Sequence, residues 1–215
     1  MATEETGRQV VIVIRHGERI DNVEYDWVIR SKRPYDPPLT EVGVKQAREV
    51  GSAFKGKDVQ CIISSPFLRC LQTAQQISDA LELPGVSTCN GIVDVLSSHC
   101  GIHEQPQVPY QADVDRIGVK VLSYDQDPLP KYPEKTKVGL RRFTVEYNKL
   151  ADKYWPQNIV IVSHGYGVSQ AVAMTKGEQY FSGTWVNYCG YVEMTRDSEV
   201  SHKWTQLTRS NIHDD

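Results

Sequence analysis

The chain has 215 residues, enough to bury a sizeable core as one large domain or two small ones. It is 40% hydrophobic and 24% charged, and its net charge of -3 lacks the basic excess that a general nucleic-acid or membrane-surface binder needs. No apolar run approaches a membrane span, and the opening Met-Ala-Thr-Glu-Glu-Thr-Gly has no basic-then-apolar leader, so residues 1–8 are expected as a disordered lead.

Val10 to Ile14 is a run of β-branched residues, as in strands covered on both faces. It ends on Arg15-His16-Gly17-Glu18-Arg19, charge that is costly to bury without partners. Residues 23–38 follow no period and read as a loop or lid insertion. There Trp27, Arg30, Lys32, Arg33 and Tyr35 form either an aromatic, basic lid or a solvated loop. Between Thr40 and Phe54, Gly43, Ala47, Val50, Gly51 and Phe54 fall at helical spacing, with Thr40 as N-cap and Gly56 as stop. Val59 to Ile63 is a second strand. After Ser64, the pair Ser65-Pro66 reads as a cap and a first helical position, and Cys70, Leu71, Ala74, Ile77 and Leu81 carry that helix on towards Leu83. Residues 97–137 hold five of the eleven prolines and read as a second insertion. Leu140, Thr144, Tyr147, Ala151 and Tyr154 mark a helix closed by Pro156. Ile159 to Val162 is a strand, Val168 to Met174 a helix, and the tyrosine-rich Tyr188 to Met194 a strand.

Alternating strands and helices with no linker predict a single α/β domain over residues 1–215, built on a mainly parallel sheet. Ligands of such sheets bind beyond the carboxyl ends of the strands. Three of those ends carry Arg15-His16-Gly17-Glu18-Arg19, Ser64-Ser65-Pro66-Phe67-Leu68-Arg69 and Ser163-His164-Gly165. Arginine forks and helix N-termini suit phosphate oxygens. Nearby arginines favour a neutral histidine, which can attack phosphorus and form a phosphohistidine. That chemistry calls for no metal and no cofactor.

Arg15-His16-Gly17-Glu18, Leu39-Thr40-x-x-Gly43-x-x-Gln46-Ala47, Ser64-Ser65-Pro66-x-x-Arg69-x-x-Gln72-Thr73-Ala74 and Val162-Ser163-His164-Gly165 together resemble the histidine phosphatase superfamily, also called phosphoglycerate mutase-like. Arg-His-Gly-Glu-Arg-x-Asp and Ser-Pro-x-x-Arg-Cys-x-Gln-Thr-Ala are similar to one subgroup. It comprises the phosphatase domain of the suppressor of T-cell receptor signalling proteins and the ecdysteroid-phosphate phosphatases. The 215 residues leave no room for the additional modules of the former, so a catalytic domain standing alone is expected. The resemblance implies a three-layer α/β/α sandwich and a phosphomonoester hydrolase. In it His16 is the nucleophile, Arg15, Arg69 and His164 bind and stabilise the phosphoryl group, and Arg19 and Asn22 are further phosphate contacts. Where the family places a glutamate as proton donor after a Gly-apolar-apolar step, this chain has Gly91-Ile92-Val93-Asp94. Asp94 is therefore the expected donor, with Glu18 as fallback.

The implied substrate is a small-molecule or phosphoprotein phosphomonoester, with no nucleic acid or membrane as partner and a homodimer as an open assembly state. Mutase activity is disfavoured, because Val95-Leu96-Ser97-Ser98-His99 stands where those mutases carry Arg-His-Tyr-Gly. A catalytically idle binding or scaffold domain is the alternative, left open by Asp94. Other readings fall away on chemistry. Gly51 to Asp58 nearly spells a P-loop but lacks its Ser/Thr and ends a helix. Gly165-Tyr166-Gly167 lacks the third glycine of a dinucleotide fingerprint, Gln170 standing there. Cys100 has Pro106 where a cysteine phosphatase needs arginine, and His99 with His103 has no supporting ligand pattern. His202 and His213 are expected to face solvent. Five cysteines (Cys61, Cys70, Cys89, Cys100, Cys189) without a Cys-x-x-Cys pair, and no Asn-x-Ser/Thr acceptor, point to a reducing, cytoplasmic setting.

Overall fold

In the computed structural model, which describes residues 7–109, 111–181 and 183–214, the chain runs through thirteen principal elements. They are β1 (Gln9–Arg15), α1 (Trp27–Arg30), α2 (Glu41–Ala53), β2 (Val59–Ser64), α3 (Leu68–Ala80), β3 (Val86–Thr88), α4 (Gln111–Arg116), β4 (Val121–Ser123), α5 (Thr136–Lys153), β5 (Asn158–Ser163), α6 (Gly165–Lys176), β6 (Thr184–Arg196) and β7 (Thr205–Asp214). The strands form one sheet in the order β4-β3-β2-β5-β1-β6-β7. The first five of that order are parallel, and β6 and β7 add antiparallel to the β1 edge.

The β-branched run of β1 works because successive residues face opposite layers. Val11 and Val13 join Ile159 and Ile161 in a core with Phe143, Tyr147, Val168 and Val172 of α5 and α6. Ile12 and Ile14 join Val160 and Val162 in a second core with Ala47 of α2 and Cys70, Leu71, Ala74 and Ile77 of α3. The result is the expected three-layer α/β/α arrangement. No helix among the described residues is long and apolar enough to cross a membrane.

Several boundaries differ from the sequence expectation. α3 opens at Leu68, two residues after Pro66, because Ser65 stays in the sheet register with its N–H on the Val162 carbonyl at 2.9 Å. The cap comes from afar: buried Asp36 accepts the Leu68 N–H at 2.7 Å. α6 begins at Gly165, before Gly167, with His164 as its N-cap residue. Residues 97–137 are not wholly irregular. They supply α4 and the edge strand β4, and Ile102, Val108, Leu129 and Tyr132 pack on a small third core of Phe67, Val93 and Leu96. Residues 23–38 hold only the single turn α1. Of the lead, residues 1–6 lie outside the described residues, while Arg8 Nε already donates to Thr195 Oγ1 at 3.1 Å.

One close approach sets the entry to the site. A Cβ on Gly17 would lie 2.5 Å from the Gly43 carbonyl oxygen, and a Cβ on Gly43 would collide with the Glu18 backbone. The loop after β1 and the first turn of α2 can touch only because both residues are glycine. Gly43→Ala is expected to cost about 2 kcal/mol or more in urea unfolding, whereas Glu49→Ala on the exposed face of the same helix should stay within about 0.5 kcal/mol. A Gly43→Ala protein of unchanged stability would contradict the contact.

Candidate active site

Three neighbouring strands, β2, β5 and β1, end level with one another. Arg15 pairs with Ser163, Ser64 pairs with Val162, and the His16 N–H donates to the Ser163 carbonyl at 3.1 Å. His16, His164 and Arg69 are thereby delivered to one crevice from three strand ends.

The loop after β1 is held by side chains of α2 and α3. The Gly17 N–H donates to Thr73 Oγ1 at 3.1 Å, and the Glu18 N–H to Gln46 Oε1 at 3.0 Å. The Leu39 N–H donates to Gln72 Oε1 at 2.8 Å. Glu18 itself accepts from Thr40 Oγ1 at 2.8 Å, and it does not line the cleft described below. The geometry gives Glu18 a part in joining the two loops, away from the position of a proton donor.

His16 is buried, and its Nδ1 lies 2.8 Å from the Gly17 carbonyl. A carbonyl only accepts, so Nδ1 carries the proton and Nε2 keeps its lone pair. Burial, then the charges of Arg69, Arg15 and Arg19, hold the imidazole pKa well below the ordinary histidine range. His164, fully buried, is held low in the same way by burial first and Arg69 next. Its Nδ1 lies 3.2 Å from Arg69 Nη2, a group that only donates, so its proton sits on Nε2 and is given to Ser65 Oγ at 2.9 Å. The two rings meet edge to face at 5.5 Å.

The arginines rest on aromatic faces. Arg15 lies over Tyr188 at 4.4 Å and Arg69 over Phe67 at 4.6 Å. Arg15 Nη1 donates to the Val186 carbonyl at 2.5 Å. The Nε of each arginine is buried without a hydrogen-bond partner among the described residues. Arg19 is bound by Asp21 through Nε at 2.9 Å and Nη2 at 2.5 Å. Asn22 is exposed, and its amide bonds the Tyr188 hydroxyl. It meets the site through Tyr188 and does not line the cleft. Asp94, 20% exposed, places Oδ2 at 3.5 Å from both Arg69 Nη2 and His164 Nδ1, while its Oδ1 accepts the Val95 N–H at 3.0 Å.

A cleft of about 360 Å³ opens over Arg15, His16, Arg19 and Asp94, walled by Tyr166, Phe181, Trp185 and Val186. A second cavity of about 230 Å³ adjoins it across Arg19 and Asp94, lined by Arg69 with Val28, Pro34, Tyr35 and Pro37. The 23–38 insertion therefore closes one side of the site through Val28, its prolines and Tyr35. Arg30 instead pairs with Glu24 and Asp26 at the surface.

Tyr188, Phe67, Phe181, Trp185 and Arg142, which bonds the Asp94 carbonyl from α5, escaped the sequence reading. Only the general richness of β6 in tyrosine hinted at Tyr188. Gly167 is a glycine for packing, since a Cβ there would meet the Tyr147 hydroxyl and Ser163 Oγ, whereas one on Gly165 would make only ordinary contact with Arg15. Cys70 touches His164, but burial pushes its thiol up to about 12. Cys61, Cys89 and Cys189 are likewise free thiols, while the Cys100 side chain lies outside the described residues.

The model of the histidine phosphatase superfamily (branch 1) matches residues 11–199. Ubiquitin-associated and SH3 domain-containing protein A of Homo sapiens is 30% identical over 200 residues, which cover 74% of this chain and 30% of that protein. This chain thus spans about a third of that relative's length. The ecdysone phosphate phosphatase of Bombix mori, solved with tungstate, superposes with a TM-score of 0.70 at 21% identity, covering 93% of this chain and 92% of that one. A phosphoglycerate mutase of Bacillus anthracis superposes with a TM-score of 0.60 at 18% identity, covering 95% of each chain. These two likenesses bear on the fold.

Both site histidines are held neutral below the ordinary value of 6.5. Between that value and their lowered folded values, the unfolded chain binds protons that the folded chain does not. Stability therefore rises with pH in this window and is lost as pH falls below about 6.5. Thermal melts from pH 7 to pH 5 should show a steeper loss for wild type than for His164→Gln. Equal slopes would contradict the neutral assignment.

Proposed function

The chain belongs to the histidine phosphatase superfamily, and on that premise we propose that it hydrolyses phosphomonoesters through a phosphohistidine at His16, with no metal or cofactor. One observation carries the reading. A buried, neutral histidine has its Nδ1–H committed to Gly17 and its Nε2 lone pair available, with Arg15, Arg69 and His164 gathered around it.

In the first step Nε2 attacks phosphorus and the bond to the ester oxygen breaks. Asp94 gives its proton to that oxygen, and the alcohol leaves. In the second, water attacks the phosphohistidine, Asp94 takes the proton from the water, and inorganic phosphate departs as His16 regains its lone pair. Arg15 and Arg69, each with an uncommitted Nε, hold the phosphoryl oxygens, and Arg19 adds charge at the rim. His164 keeps Arg69 in place through Nδ1. The guanidinium groups supply the charge that a metal ion provides in other phosphatases.

The wall of the cleft selects the alcohol. Tyr166, Phe181, Trp185 and Val186 are apolar or aromatic, and Trp185 is 63% exposed and open to a ligand. Among the described residues the lining offers no cation beyond Arg15 and Arg19 for a substrate carboxylate, which supports hydrolysis over mutase chemistry. An apolar or aryl phosphomonoester, free or on a protein, suits this wall; the Bombix mori neighbour is an ecdysone phosphate phosphatase. Asp94 beside Arg69 and His164 counts against an idle scaffold.

Hydrolysis of p-nitrophenyl phosphate should survive EDTA, be inhibited by orthovanadate, and fall about a thousandfold or more in His16→Ala. An active His16→Ala protein would overturn the mechanism. Because His16 stays unprotonated, kcat/KM should hold as pH falls through 6.5, with its acidic limb lower. A limb centred at 6.5 would contradict the burial argument.

A further inference from the structure

Asp94 follows the single 3-10 turn Asn90–Ile92, in a stretch with no helix or sheet ladder to satisfy its backbone carbonyls. Three of these carbonyls are met from α5. Arg142 donates through Nη1 to the Gly91 carbonyl at 2.8 Å and the Val93 carbonyl at 3.0 Å, and through Nη2 to the carbonyl of Asp94 itself at 3.1 Å. Its remaining donors go to one carboxylate, Nε to Glu134 Oε1 at 2.9 Å and Nη2 to Glu134 Oε2 at 2.7 Å. All five guanidinium N–H groups are thus committed.

Glu134 closes the frame. Its Oε2 accepts the Leu96 N–H at 3.3 Å, and its own N–H donates to the Leu96 carbonyl at 2.6 Å. The pair is nearly dry, with side chains 13% and 5% exposed. α5 makes room for it with a glycine, since a Cβ on Gly139 would lie 2.8 Å from Glu134 Oε2. Asp94 sits midway between the braced ends, and its Oδ1 is held by the next N–H along the same backbone. The direction of its carboxyl therefore follows from the path that Arg142 and Glu134 impose.

We propose that Arg142 and Glu134 are a positioning pair that aims Asp94 at the leaving oxygen. This rests on Asp94 as proton donor. Arg142 touches no reacting atom and does not line the cleft. Lysine cannot replace it, because a single ammonium has three donors and no planar fork to serve three carbonyls and a carboxylate at once.

The test compares two esters on the full chain. p-Nitrophenolate leaves without a proton, whereas the alkoxide of benzyl phosphate needs one. Arg142→Lys and Glu134→Gln should lower kcat/KM for benzyl phosphate about tenfold or more, a ratio that reads only up to departure of the alcohol and so leaves out the later step in which Asp94 serves as base. They should leave p-nitrophenyl phosphate within about threefold, and orthovanadate inhibition within about twofold. Placed in an Asp94→Asn background, either substitution should add less than about twofold. Equal losses on both esters, or full additivity with Asp94→Asn, would overturn the pair's role while leaving Asp94 as donor. An Asp94→Asn protein that keeps the wild-type ratio between the esters would overturn the reading of Asp94, and the inference with it. Loss of folding in both Arg142→Lys and Glu134→Gln would assign the pair to stability alone and equally overturn it.

Discussion

Positive charge gathered in a dry place governs this site. Arg15 ends β1 and Arg69 follows β2, on either side of β5, and both are drawn out of water, Arg69 fully and Arg15 in part, which is costly for a guanidinium without a counter-charge. The protein offsets only part of that cost, with the ring of Tyr188 under one, the ring of Phe67 under the other, and the nearby carboxylate of Asp94. Everything else answers to this excess. Burial first and this charge second keep His16 and His164 from becoming imidazolium ions, so His16 keeps a lone pair on Nε2 and His164 an acceptor at Nδ1. An anion with several oxygens completes the balance, and a phosphoryl group has the shape to do so.

Such a cluster acts only if its parts are held still. The side chains of Thr73, Gln46 and Gln72 point at backbone N–H groups of the loops around His16, and Glu18 and Thr40 join those loops to each other. Polar residues within the family motifs thus serve the backbone of the site more than its substrate. On the opposite side α5 grips the Asp94 segment through Arg142 and Glu134. His16 and Asp94 are framed independently, from different layers of the sandwich.

The alternation of β1 and the stripes of α2 and α3 were legible in the sequence because each buries a repeating face. Arg15, His16, Arg69 and His164 were legible because each follows directly on such an element. The family read from those motifs is the one that matches residues 11–199. β7 was not legible, since Ile212 is its one buried residue and it carries almost no apolar alternation. β3 and β4 are three residues each, too short to show a period. The N-cap of α3 was misplaced because the group that serves it, Asp36, lies 32 residues upstream in a segment without pattern. Arg142 was hidden for a related reason. On a helix it resembles its solvent-facing neighbour Arg141, and only the tertiary structure shows that it turns inward.

The proposed reaction turns on a covalent bond between phosphorus and His16. Rapid quenching into alkali during turnover of p-nitrophenyl phosphate, followed by peptide mass spectrometry, reads it directly, because a phosphohistidine survives base and is lost in acid. One added phosphoryl group, acid-labile, is expected on the peptide that carries His16. The same label on His164, or an unlabelled protein while substrate is being turned over, would contradict it.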